Sequence, residues 1–352
     1  MELNRAIVAE DMRQIADAPL PWSEFAGARI LVTGATGFLA AYLVETFLYL
    51  NDHRLSRPAH VLALARNRGK IERRFKGMAG RPDLQFLIQD VCHPLDTPGP
   101  IDFMVHAASP ASPRSYMADP AGTLLANIIG THHLLELAGR SRTRRFLFVS
   151  SGEAYGRFTP VPAEPVKESD YGSIDPLDRR ACYAEGKRAG EALCAAWWHQ
   201  HRLPAVIARL GHTYGPGMDL ADGRVFSDFV ANVVRGEPIE MRSSGDAVRP
   251  FCYVTDAVLG LLTLLLSGES GQAYNLVNDE ASISVRELAS TLAALFPERN
   301  IRVVRGAVPP SAGIAAPNQR ISIDTGKIRA LGWAPRISVR EGFGRAIRSY
   351  SA

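Results

Sequence analysis

The stretch "RILVTGATGFLA", residues 29 to 40, constrains the fold more than any other in the chain. An apolar run reads as a buried strand, a Gly-x-x-Gly-x-x-Ala loop follows it, and an apolar helical pattern begins inside the loop. Such a loop lets the backbone approach a pyrophosphate closely, and the helix N-terminus turns unsatisfied N–H groups towards the negative charge. Gly34 serves the turn, Gly37 the close approach and Ala40 the packing of helix on sheet. Thr36, Phe38 and Leu39 complete the expected cofactor-binding loop.

A glycine triplet alone is weak evidence, but the sequence beyond it supplies the context that it needs. "HVLALAR", "LQFLIQD", "IDFMVHAAS" and "RFLFVSS" are short apolar runs separated by helical stretches, among them "GTLLANIIGTHHLLELAG". This alternation implies βαβ units and a parallel sheet, which the run through Val206 and Ile207 extends. The expected fold is α/β: a Rossmann-type doubly wound parallel sheet with a smaller C-terminal α/β substrate-binding domain. Residues 1–28 read as a helical extension, with Ile7, Val8, Met12 and Ile15 on one face of a short amphipathic helix ending before Pro19 and Pro21. Residues 29–210 read as the NAD-binding domain. After "TYGPG" the texture becomes richer in Pro and Gly, so residues 211–352 read mainly as a substrate-binding domain, with "FCYVTD" and "AYNLVN" (near 251–280) returning to the first.

Bulk properties narrow the function. At 46% hydrophobic and 22% charged residues the chain is an ordinary globular sequence. A dispersed net charge of +4 argues against a nucleic-acid partner and suits an anionic small substrate. The N-terminus mixes acids with its apolar residues, unlike a secretion signal, and no apolar run reaches membrane-spanning length. A cytoplasmic protein is the expectation. Cys92, Cys182, Cys194 and Cys252 lack CxxC spacing, which fits reduced thiols and supplies no metal framework.

The second strand of an NAD-binding domain usually ends in an acid that binds the adenosine ribose. Here that place holds Ala65, followed by Arg66. A guanidinium there suits the 2′-phosphate of NADP, a stack on adenine, or plain solvation, which leaves NAD and NADP both open. Asp90 and Val91, after "LQFLIQ", fall on the adenine side.

In "CYAEGKRAGEAL", Tyr183 and Lys187 stand one helical turn apart and share a face. A phenol with a pKa near ~10 is a poor base at neutral pH. A lysine cation and the nicotinamide charge favour the phenolate and make Tyr183 a usable general base. Ser151, at the end of "RFLFVSS", is placed to bond the same substrate hydroxyl. These residues suit removal of a hydroxyl proton from a sugar or alcohol while hydride leaves to nicotinamide.

The motifs "TGATGFLA", "HAASPASP", "SSGEAYG", "YAEGK", "TYGPG", "DGRVFSDF" and "GDAVRPFCYVTDA" follow one another over nearly the whole chain from residue 29 to "LGWAP". In that order the chain resembles the extended short-chain dehydrogenase/reductases that act as nucleotide-sugar epimerases, dehydratases and decarboxylases. The resemblance is greatest to UDP-glucuronate decarboxylases and dTDP-glucose 4,6-dehydratase-like proteins. It implies a tightly held NAD, oxidation of sugar C4 to a ketone, chemistry at the neighbouring carbon, and return of the hydride. It also implies that Tyr183 is the base, Lys187 its tuner and nicotinamide-ribose ligand, and Ser151 the hydroxyl partner. His106, Ala107, Ala108 and Ser109 would line the nicotinamide side, with Asn127 nearby, while Arg224, Val225 and Arg249 would hold the diphosphate of a nucleotide sugar, UDP-linked in the nearest group. The two long helices of the first domain, with Trp197 and Trp198, would form a homodimer interface.

Glu153 is where the related reactions part. Dehydratases of this group carry an Asp-Glu pair after the Ser/Thr, the aspartic acid protonating the leaving hydroxyl; here the pair is Gly152-Glu153. Hydroxide leaves poorly without a proton donor, so 4,6-dehydration is disfavoured. Decarboxylases keep the glutamate behind a serine and use a late arginine for the substrate carboxylate. Arg320 stands one residue from that place, which Gln319 occupies, and one residue in an extended segment reverses the side chain. His212, in the substrate region, replaces a usual asparagine. A 4-epimerase needs only Tyr183, Ser151 and room for the keto sugar to rotate, which Gly152 offers; Glu153 would then order a water, bind a sugar hydroxyl or support the helix entry. The residues leave decarboxylation and 4-epimerisation open. A net NADPH-dependent ketoreductase is the alternative that Arg66 raises, and a non-enzymatic NAD-binding regulator has no use for Tyr183, Lys187 and Ser151 together.

Overall fold

Ile30 and Val32 face one side of the first strand and Leu31 the other, and this period-two alternation builds two separate cores. In the computed structural model, which describes residues 3–350 apart from residues 79, 98 and 307–320, the first domain begins with β1 (Arg29–Thr33), β2 (His60–Ala65), β3 (Leu84–Ile88), β4 (Phe103–His106), β5 (Arg145–Ser151) and β6 (Ala205–Leu210). Beyond them come β7 (His212–Tyr214), β8 (Ile239–Met241), β9 (Val248–Tyr253), β10 (Ala273–Leu276), β11 (Ser282–Ser284) and β12 (Val303–Arg305). The helices are α1 (Arg5–Ala16), α2 (Phe38–His53), α3 (Arg68–Arg74), α4 (Pro113–Ala118), α5 (Pro120–Ser141) and α6 (Ala181–His201), then α7 (Val225–Arg235), α8 (Val254–Ser267), α9 (Val285–Leu295), α10 (Gly326–Arg329) and α11 (Val339–Tyr350).

Seven parallel strands form the main sheet in the order β10-β6-β5-β4-β1-β2-β3. Strand order reverses between β1 and β4, and in a doubly wound sheet a dinucleotide lies in the crevice at that point. Val61, Ala63, Leu147, Val206 and Ala208 join Ile30 and Val32 beneath α2 and α8. Leu62, Leu64, Phe146, Phe148 and Ile207 join Leu31 beneath α5 and α6. The α/β architecture expected from the sequence is therefore the one observed.

After β6 the chain steps at Gly211 into a second, smaller sheet, β11-β9-β7. A Cβ at Gly211 would lie 2.2 Å from Val277, so only glycine fits this step. Tyr214 stacks on Phe343 at 3.8 Å, and Phe226 and Phe251 complete an aromatic core joining β7, β9, α7 and α11. Of the two segments read as returning, "AYNL" forms β10 of the main sheet, while "FCY" ends β9 in the small sheet and hands over to α8, which packs on the main one.

The N-terminal helix occupies Arg5–Ala16, capped by the Asn4 side chain. Its Asp11 is fully buried and accepts hydrogen bonds from Tyr42 (3.0 Å), Tyr253 (3.0 and 3.1 Å) and Arg345 (2.7 Å). Burial pushes this carboxyl up while the Arg345 charge opposes the shift. Buried charge is tolerated only when paired and hydrogen-bonded, and here the partners come from α2, β9 and α11. One carboxylate thus ties the chain's two ends to the helix behind the glycine loop. Among the described residues, no helix is long and apolar enough to cross a membrane.

Candidate active site

The glycine loop closes tightly on the end of β4. Gly34 has φ +67°, and a Cβ there would stand 2.8 Å from Ala108 Cα and 2.9 Å from the Ala107 carbonyl. Gly37 caps α2 without a side-chain oxygen, which leaves the first-turn N–H groups for an anion. Thr33 Oγ1 links the two strands, accepting from the Ala108 N–H (3.2 Å) and pairing with His106 Nδ1 (2.9 Å). His106 is buried, and burial together with the Lys187 charge pushes its imidazole down to about 3, so it is neutral. Asn127 donates to Ser109 Oγ (2.9 Å) and the Thr123 carbonyl (2.8 Å), while its buried Oδ1 has no protein partner among the described residues. A narrow backbone cradle, a free helix end and an unused buried acceptor fit a bound dinucleotide.

Just beyond the ends of β2 and β3, Arg66 Nη1 lies 3.1 Å from Asp90 Oδ2, and the other Asp90 oxygen accepts from the Cys92 N–H. Arg66 thus already has an anionic partner. Val91 is buried against Gly130, where a Cβ would come within 2.7 Å of Val91.

Ser151 ends β5, and Tyr183 is the third residue of α6, near enough for Ser151 to act on the Tyr183 phenol. Burial pushes the Tyr183 phenol up to about 12; Ser151 and the Arg224 charge oppose this, and Glu153 and Tyr116 reinforce it. Lys187 Nζ donates to the Val149 carbonyl at 2.7 Å and sits 5.6 Å over the Tyr183 ring. Burial pushes this amine down to about 7, opposed by Glu191. Burial thus favours the neutral phenol in the free protein, and added positive charge nearby would favour the phenolate.

Beyond Ser151 the chain makes a single 3-10 turn, Gly152–Tyr155, whose Glu153 is exposed. Ser151 Oγ accepts from the Glu153 N–H at 3.2 Å. Arg188 donates to the carbonyls of Ala154 (2.6 Å), Tyr155 (3.0 Å) and Gly172 (2.7 Å), and Tyr155 OH donates to Asn275 Oδ1 at 2.6 Å. A Cβ on Gly152 would meet the Leu210 carbonyl at 3.6 Å, an ordinary van der Waals contact, so a small side chain would fit there.

Three cationic or imidazole groups from the second domain converge on the same place. Arg224 precedes α7 and donates to the Ala111 carbonyl at 2.9 Å, with Val225 exposed beside it. Arg249 in β9 donates to the Val248 carbonyl; burial pushes its pKa down, with the Glu153 charge opposing. His212 is pushed down to about 3 by burial and then by the charges of Arg249 and Arg224. The electrostatic neighbourhood of Glu153 and Tyr183 is therefore positive and suits an anionic ligand. Arg320 lies outside the described residues.

Several site-forming residues escape sequence reasoning. Tyr116, in α4, stacks on Tyr183 with ring centroids 5.5 Å apart and planes 16° apart. Arg188, Glu191 and Arg209 brace the turn and the tyrosine helix. Arg188 and Glu191 follow Lys187 in "GKRAGE" at offsets that share or adjoin its face, the one local signal that marks them.

The model of the NAD dependent epimerase/dehydratase family matches residues 30–277. "UDP-glucuronic acid decarboxylase 6" of Arabidopsis thaliana is 34% identical over 328 residues, covering 92% of this chain and 90% of the relative. The structure of a UDP-glucuronic acid 4-epimerase from Bacillus cereus, in complex with UDP-glucuronic acid and NAD, superimposes with a TM-score of 0.74 at 23% identity, covering 92% of this chain and 98% of that one. A dTDP-glucose 4,6-dehydratase from Bacillus anthracis, in complex with NAD, gives 0.73 at 19% identity, covering 92% and 96%.

Proposed function

The chain belongs to the NAD dependent epimerase/dehydratase family, and we propose that it is a nucleotide-sugar enzyme that decarboxylates UDP-glucuronate through a transient 4-ketone. The observation that carries this reading is Tyr183 beneath Lys187 and within reach of Ser151 at the end of β5, with exposed Glu153 on the next turn acting on half-buried Arg249. The relatives named UDP-glucuronic acid decarboxylases support the choice of substrate.

NAD, when bound, supplies the acceptor for the C4 hydride and later gives that hydride back. Tyr183 takes the proton of the C4 hydroxyl, while Ser151 holds the same oxygen in line. A ketone at C4 places the C5 carboxylate β to a carbonyl, so CO₂ departs and the electron pair is held as the enolate. Glu153, one exposed turn away, delivers the proton that C5 then needs, and Tyr183 returns its proton to O4 as the ketone is reduced. Arg224 and Arg249 neutralise the diphosphate. Gly34, Thr36, Gly37, Phe38, Leu39, Ala107, Ala108, Ser109 and Asn127 hold the dinucleotide. NAD rather than NADP fits the Arg66–Asp90 pair, because a 2′-phosphate would have to displace or repel that carboxylate.

Gly152 favours a second reading, 4-epimerisation, since it carries no side chain to crowd a keto sugar as it turns. Dehydration lacks its acid. The second domain, residues 211–352 less the returning β10, is the part that grips the nucleotide sugar. The protein pairs into a homodimer through α5 and α6, and on α5 Leu125 and Ile129 are 50% and 37% exposed. Its four cysteines are unpaired, in keeping with the cytoplasm.

The test is the mass of the nucleotide sugar recovered after incubation with UDP-glucuronate and NAD. Loss of CO₂ is the expected result. An unchanged mass with a shifted retention time would replace decarboxylation by 4-epimerisation.

A further inference from the structure

A buried ion pair links the Tyr183/Lys187 helix to the main sheet and takes no part in the chemistry described above. Glu191 follows Lys187 by four residues on α6, so the two share a face. Its Oε1 accepts from Ser150 Oγ (2.5 Å) and Arg209 Nε (3.0 Å), and its Oε2 accepts from Arg209 Nη2 (2.7 Å). The side chains are 11% and 3% exposed. Ser150 and Arg209 are direct neighbours across β5 and β6, one residue before Ser151 and Leu210. Arg209 also donates to the Glu168 carbonyl at 3.0 Å and lies 4.7 Å over the Tyr155 ring. The pair thus fastens the tyrosine helix to the two strands that end at the reacting groups.

Buried ion pairs are a weak source of stability, since desolvation offsets most of the attraction. Position beside a functional cation gives this one a different use. Lys187 is faced by Tyr183 and Glu191 from α6, by the Phe148 ring and the Val149 carbonyl from β5, and by neutral His106 from β4. Asn127 of α5 meets the same helix at Gly186. Glu191 is the one anion in that set, and it opposes the effect of burial on the amine.

We propose that Glu191 is a positioning residue of the hydride site: clamped by Arg209 and Ser150, its carboxylate keeps Lys187 cationic and anchors the strand end that carries Ser151 and Glu153. This rests on the assignment of Tyr183 and Lys187 to hydride chemistry, so the test needs a readout that does not depend on turnover. Holoenzyme labelled with ¹³C at lysine Cε reports the Lys187 titration directly by NMR, the signal being assigned by its loss in Lys187→Arg. Glu191→Gln is expected to lower that midpoint by about one pH unit. The alkaline limb of kcat should move the same way. Glu191→Asp, which keeps the charge, should move both less than half as far, and Ser150→Ala should leave the midpoint in place.

A Glu191→Gln midpoint equal to wild type, or a kcat lowered by one constant factor at every pH, would overturn the proposal. Should Glu191→Gln fail to fold, Glu191→Asp carries the test: drawing the carboxylate back by one methylene should give a small but measurable downward shift, and its absence has the same force. A shifted midpoint in a protein that leaves UDP-glucuronate untouched would uphold the Glu191–Lys187 coupling while removing the substrate assignment.

Discussion

Tyr183→Phe is expected to bind NAD like the wild type and to lose turnover by about 10³-fold, within the range for removal of a general acid–base group. The substitution deletes one oxygen and little else. Phenylalanine keeps the ring that stacks on Tyr116 at 5.5 Å and the place of that ring beneath Lys187. The dinucleotide cradle is built elsewhere, from Gly34, Gly37 and the Ala107–Ala108 backbone. What disappears is the group that must lose a proton as hydride leaves C4 and regain it as hydride returns. The burial that pushes this phenol up to about 12 makes no neighbouring residue a ready substitute, since Ser151 is an alcohol and Glu153 stands on a separate turn. Titration of NAD by fluorescence and initial rates at several pH values check the two halves of the expectation. Wild-type turnover would remove Tyr183 from its role; lost NAD binding would make it structural.

Glu153→Gln carries the second large effect. The variant keeps shape and hydrogen-bonding capacity on an exposed turn, and that turn is held by Arg188 rather than by the Glu153 side chain. Folding should therefore be unaffected. Decarboxylation needs a proton at C5 after CO₂ has left, and an amide does not supply one, so formation of decarboxylated product should fall by about 10²-fold or more. Epimerisation at C4 exchanges no proton at C5 and should survive. Product masses from parallel incubations of wild type and variant separate the cases. Equal decarboxylation in both would assign the C5 proton to water and reduce Glu153 to a support for the turn.

The sequence makes the first domain legible because its signals are local. Strand β1, the Gly34–Gly37 turn and the start of α2 lie within twelve residues, and the alternation of Ile30, Leu31 and Val32 needs only the strand's own period. Tyr183 and Lys187 are visible for the same reason, since one helical turn fixes their relation. The second domain is harder to read. Strands β7, β8, β11 and β12 have three residues each, too few to show a period, and their pairing is long-range. Tyr116 reaches Tyr183 across 67 residues of chain, and Asp11 reaches Arg345 across 334, which no local pattern announces. Glu191 and Arg209 lie between these cases: the glutamate is spaced correctly from Lys187, but its partner is set by the β5–β6 register. Arg224, Arg249 and His212 come from three separate elements, and only folding brings their charges to bear on Glu153 and Tyr183.

In the proposed cycle, oxidation at C4 is temporary and internal. This is tested most directly by incubating the wild-type protein with UDP-glucuronate deuterated at C4, in the presence of a large excess of unlabelled NAD, and locating the deuterium in the product. The expected result is a product that retains deuterium at C4 while the NAD pool stays unlabelled. A product carrying protium at C4, with deuterium found in the cofactor pool or reduced cofactor accumulating in proportion to product, would contradict it.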